Sequence, residues 1–190
     1  MVLSLLFAFA ARAQEGPEAD GSEMQLWVGG GHSVSGGTAR TGVLDTGFRY
    51  GWILTNPHGP GFLRGRFEYC VDAVPLYLIF QPGHTVYGGG WNPLGLKWNF
   101  VPRGRIVPYF ELGGGVLFTN RDVPGGTSKT NFTPSAALGF HHLGGRWDWS
   151  LEARYLHISD AGLSDFNPGI NTIQIRLGLG GFRTKNKHTR

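Results

Sequence analysis

Apolar and polar residues alternate with a period of two in segment after segment of this chain, and that alternation confines it to strands with two unlike faces. Around Gly42–Leu54, Leu44, Phe48, Tyr50, Trp52 and Leu54 stand opposite Asp45 and Arg49. In Leu63–Asp72, Leu63, Phe67, Tyr69 and Val71 stand opposite Arg64, Arg66, Glu68, Cys70 and Asp72. Leu94, Leu96, Trp98 and Phe100 alternate with Gly95, Lys97 and Asn99. In Ile106–Thr119, Ile106, Phe110, Leu112, Val116 and Phe118 oppose Tyr109, Glu111 and Gly113. The same rhythm runs through Phe132–Phe140, through Trp147–Tyr155 and through Thr172–Leu179; a less regular strand covers about Gln25–Val34. That makes eight strands.

No run approaches the roughly 20 apolar residues of a membrane helix, which excludes a helical membrane protein. Aromatic residues make up 13% and charged residues 16%, so a disordered chain is excluded as well. The apolar faces are rich in Trp, Tyr and Phe near segment ends, as in the aromatic girdles of outer-membrane barrels; the other faces mix Arg, Glu and Asp with Gly. Eight strands enclose an interior just wide enough for side chains to fill. Connections alternate in length. Asn56–Pro60, Pro102–Arg105 and Gly144–Gly145 read as tight turns. Longer links fall at about Leu76–Gly90, Asn120–Thr130 and Asp160–Ile170, with a shorter one near Ser35–Thr41. These features predict an all-β, eight-stranded antiparallel up-and-down transmembrane β-barrel with its apolar face toward lipid. A soluble lipocalin-like barrel is the competing architecture, with the opposite inside-out sense.

Val2–Ala11 is an apolar core and Ala11-Arg12-Ala13 a small-x-small cleavage site, so residues 1–13 read as an export signal without a basic start. Residues 14–23 are expected to be an unpaired lead-in, 24–183 the barrel and 184–190 a basic tail. The single cysteine, Cys70, rules out an intrachain disulfide. The net charge of +4 comes partly from Arg183, Lys185, Lys187 and Arg190, a short tail rather than a basic surface with stacking aromatics. Nucleic-acid binding is therefore not expected.

The chemistry concentrates in 154–171. His157 and Ser159 are two apart on one strand, about 6.6 Å along the chain, and share the parity of Trp149, Leu151 and Tyr155. They should face lipid at the extracellular end of the seventh strand. Asn171 shares the outward parity of Ile173 and Ile175 on the eighth strand, beside them. A polar cluster on a lipid-facing surface is costly unless it lies near the interface or has a task. As chemistry the three are a nucleophile, a base and an orienter: His157 takes the Ser159 proton while a third group fixes the imidazole tautomer. Asp160 is adjacent but has inward parity, and Asp165 in the loop is an alternative orienter. Backbone N–H groups of the Asp160–Gly162 turn, with the Asn167 amide, are candidates for oxyanion stabilisation. The location implies an ester at the outer-leaflet surface, hence lipopolysaccharide.

The run His157-Ile-Ser159-Asp160-Ala-Gly162-Leu, followed by Asn167-Pro-Gly169-Ile-Asn171, resembles the active-site segment of the PagL-type lipid A 3-O-deacylases, also called acyloxyacyl hydrolases. The resemblance implies a bacterial outer-membrane barrel that hydrolyses the ester-linked 3-hydroxyacyl chain at the 3 position of lipid A, without a cofactor. It carries His157 over as base, Ser159 as nucleophile and Asn167 as an oxyanion contributor; support from Asp160 and Gly162 is read from their place in the turn instead. Characterised members have Glu where this chain has Asn171, and usually Asn where it has Asp160. The competing reading of that departure is a non-catalytic barrel that binds lipopolysaccharide or stabilises the envelope. The expected partner is lipid A within the membrane, and a homodimer is left open. His141-His142 places two rings on opposite faces, which disfavours one metal centre, and no metal is expected.

Overall fold

The computed structural model describes residues 16–144 and 147–184. The expected export segment 1–13, Gly145 of one turn, and tail residues 185–190 lie outside these. The strands are β1 Ser22–Ser33, β2 Gly42–Ile53, β3 Gly65–Gln81, β4 His84–Phe100, β5 Ile106–Thr119, β6 Thr130–Phe132, β7 Ser135–His142, β8 Asp148–Ile158 and β9 Ile170–Arg183. Each pairs antiparallel with its neighbour, and β1 pairs with β9 from Ser22↔Arg183 to Ser33↔Thr172, which closes the sheet. The short β6 and then β7 continue one another along β5 (Val116↔Phe132; Gly113↔Ser135), so the nine segments form eight staves. The result is a closed eight-stranded antiparallel β-barrel, as the alternation requires.

The faces are inverted relative to a soluble protein. Leu138, Ile173, Ile175, Leu177 and Leu179 are exposed, while Glu68, Lys97, Asn99, Glu111 and Glu152 on the opposite faces are buried. Inside, Arg49 donates to both oxygens of Glu111 (2.5 and 2.8 Å) and to both of Asp72 (2.7 and 2.9 Å). Arg154 donates to Glu111 (2.7 Å) and Glu152 (2.6 Å). Nearer the chain termini, Lys97 pairs with Glu23 and lies 2.8 Å from His141 Nε2. Charges removed from water persist only when paired and hydrogen-bonded in this way. Interior glycine makes room: a Cβ on Gly47 would lie 2.5 Å from the Trp27 ring, over which the Arg176 guanidinium sits at 3.5 Å.

Above and below the charged belt apolar side chains cluster in the interior. Ile53, Val107, Leu143 and Phe182 fill the end that carries the termini. Val43, Tyr77, Ile79, Val86, Leu117, Val123, Leu156, Ile158 and Ile170 fill the other. This explains the chief departure from the sequence-based layout. The expected long link at Leu76–Gly90 is instead strand: β3 and β4 run on as a projecting hairpin joined at Pro82-Gly83, where Gly83 has φ +87°. Here Leu76, Phe80, Tyr87 and Trp91 face out while Tyr77, Ile79 and Val86 face in, so both faces are apolar and the period of two disappears from the sequence.

Smaller differences have local causes. Asn56–Pro60 is part of a longer 54–64 connection containing a 3-10 turn, Gly61–Leu63, so Leu63 and Arg64 precede β3. The stave expected at Phe132–Phe140 is broken at Thr133-Pro134, where proline has no N–H for the ladder. The lead-in is not unpaired: Asp20 N–H donates to Ile53 O (3.0 Å), Ile53 N–H to Gly21 O (3.0 Å), and β1 begins at Ser22.

Candidate active site

The end opposite the termini is built from the connections 34–41, 82–83, 120–129 and 159–169. Strand β8 delivers its outward side chains there: Tyr155 is exposed, His157 and Ser159 are half-buried, and the intervening Leu156 and Ile158 are in the interior. The end of β8 is held on both sides. Ser159 and Phe132 exchange backbone bonds (2.7 and 3.2 Å), and His157 N–H donates to Pro134 O (3.0 Å). The Pro134 break therefore supplies an acceptor for the strand that carries the histidine.

Across the β8–β9 ladder, His157 pairs with Asn171. The two side chains meet: His157 Nδ1 lies 2.6 Å from Asn171 Oδ1. A carbonyl oxygen only accepts, so Nδ1 carries a proton, and the neutral tautomer that fits this contact has its lone pair on Nε2. Tyr155 Oη also donates to Asn171 Oδ1, at 2.7 Å, and Asn171 Nδ2 donates to Ser35 O at 3.5 Å. The turn 34–38 covers this group. Val34 N–H donates to Asn171 O (2.8 Å), and Thr38 N–H to Gly169 O (2.8 Å). Gly36, at φ +96°, approaches so closely that a Cβ there would stand 3.0 Å from Asn171 Nδ2. Asn171 is in consequence buried, although it lies on the outward face.

The other candidates are placed as follows. Ser159 sits two positions beyond His157 on the same face, and its hydroxyl makes no hydrogen bond among the described residues. Asp160 is fully buried, accepting from Gly162 N–H (3.0 Å) at Oδ1 and from Leu163 N–H (3.2 Å) at its carbonyl. The Gly162 amide is thus already engaged in this structure. Asn167 lies in the 159–169 connection with its side-chain oxygen buried and unbonded among the described residues. Asp165 is exposed in the same connection, and it is Asn171 that touches the histidine.

The sequence is matched over residues 63–180, well over half the chain, by the family model described as lipid A 3-O-deacylase (PagL). The chain belongs to the PagL family. Its fold overlays the crystal structure of the outer membrane enzyme PagL with a TM-score of 0.59 at 20% identity, covering 81% of this chain and 97% of that one. The outer membrane protein OprG from Pseudomonas aeruginosa overlays with a TM-score of 0.50 at 13% identity, covering 88% and 96%. At these identities the overlays show the barrel fold. A comparison with curated proteins finds no match. This PagL-family chain is a lipid A deacylase-like barrel of the bacterial outer membrane.

In this PagL-family chain, four residues that contact the His157–Asn171 pair or cover it carry no assigned part in the sequence reading: Tyr155, Ser35, Gly36 and Gly169. Tyr155 reads there as one more girdle aromatic; its parity with His157, two residues on, was the available signal. Ser35 and Gly36 lie far away in the chain, and Ser35 meets Asn171 across a separation of 136 residues. Gly169 has φ +63°, and a Cβ there would lie 2.7 Å from His157 Cε1. Its place in an Asn-Pro-Gly turn was the only hint.

Proposed function

We propose that the chain is a cofactor-independent serine esterase that removes the ester-linked 3-hydroxyacyl chain from the 3 position of lipid A. His157 Nε2 takes the proton from Ser159 Oγ as that oxygen attacks the ester carbonyl. The tetrahedral intermediate collapses with cleavage of the bond to the sugar oxygen, which receives the proton from the imidazolium. Water, activated by the same nitrogen, then releases the 3-hydroxy acid and restores the serine. Asn167, whose buried oxygen leaves its N–H₂ as the donor, and the backbone amides of Asp160 and Ala161 are the proposed oxyanion contacts, the Gly162 amide being held by Asp160 Oδ1. All three reacting or orienting side chains come from one barrel, so the reading needs no homodimer.

The observation that carries the reading is the 2.6 Å contact of His157 Nδ1 with Asn171 Oδ1 on an otherwise apolar outer face. A lipid-facing imidazole in its Nδ1–H form, two residues from a serine, suits an ester whose acyl chain already lies in the membrane. The test is incubation of the refolded barrel with lipid A, followed by mass spectrometry of lipid and released acids. Loss of one 3-hydroxyacyl chain, abolished by Ser159→Ala, is expected. No release would count for the envelope-binding alternative, and release unaffected by Ser159→Ala would remove Ser159 as the nucleophile.

A further inference from the structure

In place of a carboxylate this site has an amide, and an amide has a wrong end. A carboxylate presents an acceptor to the imidazole however its side chain turns. Asn171 can present either an oxygen or an N–H₂ group, and the second would bond the Nδ1 lone pair and drive the ring proton to Nε2. That tautomer leaves no base facing the serine.

The surroundings of Asn171 decide between the two. Its outer flank meets the main-chain carbonyl of Ser35, which can only accept, so Nδ2 must point there (3.5 Å). The oxygen is thereby turned to Tyr155 Oη and His157 Nδ1, at 2.7 and 2.6 Å, and both must donate to it. Tyr155 can reach because it stands across from Ile173, one diagonal step from Asn171 on the same face of the ladder. Gly36 lets the turn close over Nδ2, since any Cβ there would crowd it. Hydrogen-bond networks of this kind assign amide orientation and histidine tautomer together.

We propose that Tyr155 and the Ser35–Gly36 turn are positioning elements that orient the Asn171 amide, so that an amide holds His157 in the base-competent tautomer. The proposal deepens the esterase reading and rests on it for its consequence, but its geometry can be tested without turnover.

The experiment records ring ¹⁵N spectra of histidine-labelled, refolded barrel near neutral pH, with His157 assigned by comparison with His157→Gln. The wild type should show the neutral ring protonated at Nδ1. Tyr155→Phe, which keeps the aromatic body, should move His157 toward the Nε2–H form or a mixture of the two. Gly36→Ala should do the same by displacing the Ser35 carbonyl. Where lipid A hydrolysis is measurable, Tyr155→Phe should lower kcat about tenfold, the worth of one hydrogen bond, with KM little changed. In an Asn171→Glu background the same substitution should cost at most about twofold, because a carboxylate has no wrong end. A tautomer shift in a barrel with no esterase activity would support the clamp and remove the proposed function. A wild-type ring protonated at Nε2, or a tautomer unmoved by both variants, would overturn the clamp whatever the activity.

Discussion

The ring of His157 occupies the space that a side chain on Gly169 would need: a Cβ there would stand 2.7 Å from His157 Cε1 and 3.3 Å from Nε2. The backbone of Gly169 also sits at φ +63°, a conformation that favours glycine. Gly169→Ala should therefore displace the imidazole from the position in which it is proposed to act as base. We expect at least a ~10²-fold fall in lipid A hydrolysis, as for misplacement of a catalytic group by about 1 Å. The barrel itself should refold, with unchanged mobility on a heat-modifiability gel.

In the proposed mechanism Asn171 supplies the right tautomer but no charge to stabilise the imidazolium formed during attack. Hydrogen bonds to charged groups are worth about 1.5–3 kcal/mol against about 1 kcal/mol for neutral ones. Asn171→Glu should then raise kcat about tenfold, and Asn171→Leu, which has no acceptor, should lower it. Rates of 3-hydroxy acid release from lipid A under saturating conditions check both signs.

In the barrel interior Glu111 bridges Arg49 and Arg154 at 2.5–2.8 Å. Glu111→Ala leaves two guanidinium groups short of an acceptor in a closed space. The expected loss is about 3–5 kcal/mol, measured by urea unfolding of vesicle-inserted protein with tryptophan fluorescence as the readout.

The outer face predicts the complementary result. Leu177 is exposed midway along β9, between Val28 and Leu151. Leu177→Arg should destabilise the inserted barrel by about 2–4 kcal/mol, as expected for a cation near the bilayer midplane. The same unfolding assay applies, and a neutral effect would mean that this face does not meet hydrocarbon.

How far the sequence reaches depends on contrast between the two faces. Where Glu152 and Arg154 alternate with Leu151, Ala153 and Tyr155, parity alone puts His157 and Ser159 outward, and Asn171 follows from Ile173 and Ile175. Where the interior turns apolar, as beneath Tyr77, Ile79 and Val86, strand and loop look alike and the projecting hairpin is read as a link. The site was legible to the extent that its members lie on adjacent strands. The Ser35 carbonyl is a main-chain group brought from β1's far end, so no side-chain pattern announces it. Tyr155 was visible as an aromatic but not as a donor, because only the diagonal to Asn171 gives its hydroxyl a partner.

If Ser159 is a nucleophile activated by His157, it is reachable from the lipid. Vesicle-inserted barrel can be treated with a long-chain alkyl fluorophosphonate that partitions into the bilayer, then digested and mapped by mass spectrometry. One covalent adduct is expected, on Ser159, and it should be lost in His157→Ala. An unmodified Ser159, or an adduct that persists without His157, would show that this pair is not a nucleophile and its base.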